Sequence, residues 1–145
     1  MLTSKRGMKL HRIQTPPSGG AFFSEGSFTL TRSRLTVRDV RATTMDGGGF
    51  AAGGDLNVRQ DSEVVIENVS AKSGAGFLAT GNVYISDNSM IFIQNARSTK
   101  NGGGFSTRKR LQVSNSSVVS LQNVTTEGRG GGLDALGGVE IAGNS

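Results

Sequence analysis

Val64-Val65-Ile66-Glu67-Asn68-Val69, followed after four residues by Gly74-Ala75-Gly76-Phe77, decides how the whole chain is read, because the pattern returns. It comes back as Ile91-Phe92-Ile93-Gln94-Asn95-Ala96 before Gly102-Gly103-Gly104-Phe105. The end of the motif also appears as Gly20-Ala21-Phe22, Gly48-Gly49-Phe50 and Gly131-Gly132-Leu133, at intervals of 27 or 28 residues. Self-similarity at such a period is the mark of a stacked architecture, in which each unit covers the core of the next.

With the last residue of each motif set as position zero, the remaining columns align. Position +6 reads Phe28, Leu56, Val83, Leu111, Val139, and +8 reads Leu30, Val58, Ile85, Val113, Ile141. Position +14 reads Val64, Ile91, Val119, and +16 reads Ile66, Ile93, Leu121. The first unit is one residue short here, so Leu35 and Val37 take these two places. Apolar residues spaced by two, many of them β-branched, indicate strands, and no helical spacing is sustained. Between them fall residues suited to tight or left-handed turns: Gly26, Gly54, Gly81 and Gly137 at +4, and Asp61, Asn88, Ser116 and Asn144 at +11. Lys109 interrupts the glycine column, which predicts a turn of different shape there.

These columns predict an all-β chain wound as a right-handed parallel β-helix. It has about 4.5 coils with three strands each, starting near residues 19, 47, 74, 102 and 130, the last coil truncated. Equivalent residues then lie about 4.8 Å apart on neighbouring coils. Phe22, Phe50, Phe77, Phe105 and Leu133 are expected to form an internal file, and Asn68, Asn95 and Asn123 at +18 a ladder of side-chain amides. The +12 serines (Ser62, Ser89, Ser117, Ser145) are placed to satisfy backbone groups at a bend. Residues 1–18 carry Lys5, Arg6, Lys9, Arg12 and the stretch Thr15-Pro16-Pro17-Ser18, and are expected to form a flexible basic segment apart from the repeat.

Composition narrows the chemistry. The 145 residues suit one domain, and 22 glycines bring the 34% apolar content to a globular share. There is no cysteine and one histidine, so disulfides, thiolate zinc sites and multi-histidine metal sites are excluded. No cofactor is expected. No apolar run is long enough for a membrane-spanning helix or a secretion signal. The net charge of +5 raises binding of an anionic polymer, for which Arg32, Arg34, Arg38, Arg41, Arg108, Lys109 and Arg110 are the candidates. With Tyr84 the lone tyrosine and no tryptophan, a base-stacking platform has little support. Glu63 and Glu67 share one outer strand face and are the best carboxylate pair available, yet their +27 neighbours are Met90 and Gln94. No nucleophile elbow, phosphate loop or calcium nonapeptide occurs, and the periodic glycines read as coil turns. Asn68, Asn115 and Asn123 head glycosylation sequons.

The pairing of a glycine-rich GGAF or GGGF motif with an I-x-N-V or I-x-N-A motif resembles the repeats of chlamydial-type polymorphic outer membrane proteins. Those repeats combine GGA[ILV] with FxxN; Gly19-Gly20-Ala21 and Phe92-Ile93-Gln94-Asn95 are the nearest matches here. The repeat is similar, more broadly, to the pectin-lyase-like right-handed β-helix superfamily. The resemblance spans residues 19–145 and implies a surface-exposed or secreted, adhesin-like location. The expected function is therefore a non-catalytic β-helical segment of a larger surface or secreted protein. A glycan or cell-surface protein is its partner, and further coils or a second copy stack at its ends. A carbohydrate-active enzyme with its catalytic coils elsewhere, and a basic module for anionic polymers, are the competing readings.

Overall fold

The computed structural model describes residues 2–4, 8–11 and 20–144, and among them the regular structure is strand, with no helix. Three parallel sheets run the length of the molecule. The first holds β1 (Leu2–Ser4), β4 (Phe28–Thr31), β7 (Leu56–Arg59), β10 (Val83–Ile85), β13 (Leu111–Val113) and β16 (Val139–Ile141). The second holds β2 (Met8–His11), β5 (Arg34–Asp46), β8 (Glu63–Ser73), β11 (Met90–Asn101) and β14 (Val118–Thr126). The third, built on the Gly-Phe motif, holds β3 (Phe22–Ser24), β6 (Phe50–Ala52), β9 (Phe77–Ala79), β12 (Phe105–Thr107) and β15 (Leu133–Ala135). No strand pairs with its neighbour in sequence; each pairs in parallel with the strand one coil away, as β4 with β7 and β9 with β12. This is a right-handed parallel β-helix with three strands per coil.

The registers follow the sequence columns: Phe50 opposes Phe77, Val83 opposes Leu111, and Ile66 opposes Ile93. The phenylalanine file is internal. Ring centroids are 5.1 Å apart from Phe22 to Phe50, 5.2 Å from Phe50 to Phe77 and 4.5 Å from Phe77 to Phe105, with the planes within 11° of parallel. Phe50, Phe77 and Phe105 are fully buried, and Leu133 continues the register below Phe105. Phe28 packs its edge against Phe22 at 5.1 Å, which ties the first sheet to the file. Each first glycine of the later motifs (Gly47, Gly74, Gly102, Gly130) has positive φ. Before the aromatic, Ala21 holds this place in the first motif, but in the later coils glycine answers to crowding: a Cβ on Gly76 would run into the Gly104 carbonyl and the Ile93 side chain.

Three expectations are revised. Leu2–Ser4 and Met8–His11 fall within the segment expected to stand apart, yet they pair in parallel with β4 and β5. The reason is legible: Met8 and Leu10 take the registers of Leu35 and Val37, so the spacing of two reaches back before the first glycine motif. Residues 5–7 and 12–19, with Lys5, Arg6, Arg12 and the proline stretch, lie outside the described residues, as does Ser145. The second-sheet strand of each coil is also longer than the +14 to +18 columns indicate, reaching Ser73 in β8. Finally, the +4 glycines do not adopt positive φ, and neither does Lys109. The rung-to-rung bond of this column runs from the Gly81 N–H to the Gly54 carbonyl at 3.0 Å and from the Gly137 N–H to the Lys109 carbonyl at 2.9 Å. The turn does differ at Lys109: its N–H donates to Thr107 Oγ1 at 3.3 Å, and that hydroxyl donates to the Gly81 carbonyl at 2.6 Å.

Among the described residues, unit length varies at two places. At the bend after the first sheet, Thr31 opposes Arg59 and Arg34 opposes Glu63, so the first coil has one residue fewer there. It turns with one positive-φ residue, Arg32, where the next coil uses Gln60 and Asp61. Extra residues enter near the end of the long second-sheet strand, where register shifts lie between Ala42 and Asp46 and between Ser98 and Asn101.

Candidate functional site

The side chains singled out in the sequence fall on different outer faces, and most of them bond to the next coil. Asn68, Asn95 and Asn123 are exposed and sit at positive φ, together with Asp39 in the first coil. There the second-sheet strand turns a corner. The Asn68 Nδ2 donates to Asp39 Oδ1 at 3.1 Å, Asn95 Nδ2 to Asn68 Oδ1 at 3.0 Å, and Asn123 Nδ2 to Asn95 Oδ1 at 2.7 Å. Asparagine suits this corner twice over, since it tolerates the left-handed region and carries both a donor and an acceptor. A second ladder lies at the +10 and +11 bend. Asn88 Nδ2 donates to Asp61 Oδ1 at 2.8 Å and Asn115 Nδ2 to Asp87 Oδ1 at 3.0 Å. The nitrogens of all three sequon asparagines are thus donors between coils.

The buried +12 serines form a third ladder. The N–H groups of Ser33, Ser62 and Ser89 donate to the Oγ of Ser62, Ser89 and Ser117 at 3.1 to 3.2 Å. A hydroxyl is well suited here, because the bend leaves buried N–H groups without a strand partner. At +5, Asp55 Oδ1 accepts from the backbone N–H of Asn82 at 2.7 Å and its Nδ2 at 3.3 Å.

The basic candidates do not gather into one patch. Arg34 Nε lies 3.1 Å from Glu63 Oε2, and Arg38 Nε lies 2.8 Å from Glu67 Oε2, with its Nη2 reaching Oε1 at 3.4 Å. Arg110 Nη1 lies 3.4 Å from Glu140 Oε2, on the first sheet. Arg97, outside the candidate set, pairs with Glu127 at 2.9 Å. The two carboxylates picked out as the best acidic pair are therefore engaged by arginines one coil away. The +13 and +17 columns held that signal, reading Arg34 then Glu63, and Arg38 then Glu67; it emerges only when the preceding coil is compared as well as the following one. Arg32 sits on the bend, and Lys109 on the turn before the first sheet.

No protein-family model, curated protein or solved structure matches this chain.

Among the described residues, two concave stretches stand out on the outer surface. The first, about 420 Å³, lies over the corner where Asp39, Asn68 and Asn95 form their ladder, with Arg41 and Ser70 beside it. The second, about 220 Å³, lies at the C-terminal end of the long strand, where the chain turns through the positive-φ glycine into the Gly-Phe motif. Asp46 and Arg129 stand on one side of it, Asp134 and Leu78 come from the third sheet, and Arg108 and Leu136 follow just after. Of the seven basic candidates, Arg41 and Arg108 alone line one of these two grooves. The second groove was missed from sequence, because its members come from either side of the glycine turn and share no motif. Among the described residues no group of three metal-capable side chains assembles.

Proposed function

We propose that this chain is a non-catalytic β-helical scaffold, part of a surface-displayed or secreted protein, that presents a long outer face to a glycan or cell-surface protein. The supporting observation is where its carboxylates go. Glu63, Glu67, Glu127 and Glu140 are ion-paired with an arginine of a neighbouring coil. Four more, Asp39, Asp55, Asp61 and Asp87, accept hydrogen bonds from an asparagine one coil on. Acid–base hydrolysis needs a pair of carboxylates free to exchange protons with substrate and water. Eight of the eleven acids of the chain instead hold coil to coil. The location follows from the resemblance of the repeat to polymorphic outer membrane protein passengers. Further coils of the same protein, or a second copy, would cover Val139 and Ile141, which are 49% and 64% exposed on the last strand of the first sheet.

Incubation with polyuronates and neutral polysaccharides, with and without calcium, tests the reading. The expected result is no release of shortened products, alongside retention on an immobilised glycan or cell-surface fraction. Turnover of any of these polymers would replace the scaffold with an enzyme. Binding confined to sulfated or phosphorylated polymers, and lost steeply with salt, would favour the basic module.

A further inference from the structure

The acids left over after the coil-to-coil bonds are Glu25, Asp46 and Asp134, and two of these three line the same groove. Arg108 and Arg129 line it as well. Among the described residues none of these four groups forms an ion pair, although every sheet-face glutamate does. Asp46 Oδ1 is buried and has no hydrogen-bond donor among the described residues. A buried acceptor without a partner is costly, so the groove holds polar capacity that the fold does not use. It also runs with the stack: Asp46 opposes Ser73, Ser73 opposes Asn101, and Asn101 opposes Arg129. Polar groups therefore recur along one wall at the spacing of the coils, about 4.8 Å.

From this geometry we infer that the groove binds a neutral linear oligosaccharide lying along the solenoid axis. The charges set the ligand class. An anionic polymer would bring its charge against Asp46 and Asp134, and a cationic one against Arg108 and Arg129. An apolar ligand would leave all four unsatisfied. A sugar hydroxyl both donates and accepts, so a run of hydroxyls meets carboxylates and guanidiniums alike without a net charge. Sugar rings also present C–H faces, and Leu78 and Leu136 offer apolar surface for them, Leu136 being 71% exposed. The inference rests on the scaffold reading above and assigns it a site and a ligand class.

The test uses the whole chain with neutral glucan, mannan and chitin oligomers, beside heparin and polygalacturonate, across a salt series. At least one neutral series should bind with little salt dependence. Asp134→Ala, Arg129→Ala and Leu136→Asp should each weaken that binding about tenfold or more, which is about 1.4 kcal/mol. Leu136 is largely exposed, so its variant keeps the fold intact while placing a charge at the groove. Arg38→Gln, earlier on the second-sheet strand and outside the groove lining, should bind like the parent. Neutral-glycan binding unchanged in all three groove variants would overturn the site while leaving the scaffold reading standing. Binding of the anionic polymers alone, or of no oligomer at all, would overturn the ligand class. Turnover of an oligomer would overturn the scaffold reading itself.

Discussion

Asn95 shows how one side chain does the work of a turn. It holds a conformation (φ 53°) that costs most residues roughly 1–2 kcal/mol, and it donates to Asn68 while accepting from Asn123. Replacing it by alanine removes both bonds and raises the backbone cost. The expected destabilisation is about 1–3 kcal/mol in a urea titration, with Asn95→Gly recovering part of it through its free backbone. The asparagine ladder and the bend serines were readable from sequence because a polar residue in the same column of every coil has to bond along the stack. The +4 glycines were not, because glycine is equally at home in ordinary and left-handed backbone. At Gly54, Gly81 and Gly137 the constraint is crowding: a Cβ on Gly81 would strike the Asp55 backbone and carboxylate of the neighbouring coil, whereas one on Gly26 would meet nothing within 4 Å. Column reading identifies the residue type, but only the approach of the next coil tells which of its properties is used.

The strand carrying Phe77 is three residues long and still anchors the core, since its ring is stacked on both sides. Phe77→Ala should cost about 3–5 kcal/mol by opening a cavity between Phe50 and Phe105 that the stack cannot close. Phe77→Leu should cost less, because Leu133 already ends the same file. Thermal unfolding of the two variants checks the order, and equal losses would mean that ring stacking carries the difference. The strands of the first and third sheets were legible as apolar pairs at a spacing of two. The far half of the second-sheet strand was not. Its inward column reads Ala42, Ala71, Ser98, buried but too small or too polar to register as a core pattern. The pairing of Met8–His11 was overlooked for a related reason, as its apolar pair stands amid basic residues and without a glycine motif.

Across the whole molecule, the acidic side chains serve mainly to join coils. Arg38 and Glu67 are partly exposed, so their contact is screened by water and salt despite its 2.8 Å length. A double-mutant cycle with Arg38→Ala and Glu67→Ala should return a coupling of about 1 kcal/mol or less, shrinking as salt is raised. A larger, salt-resistant coupling would show that the pair is shielded by the sheet face. Such pairs were present in the sequence as opposed columns. The groove could not be found in that way, because it is made where spare length collects. The register shifts after Ala42 and after Ser98 absorb residues that would otherwise displace the next glycine turn. That segment stands beside the groove wall formed by Asp46 and Asn101, while the phenylalanine file keeps its register. Insertions or deletions there can recut the contour offered to a guest molecule and leave the interior untouched, which gives a solenoid of this design a place to diversify its recognition cheaply.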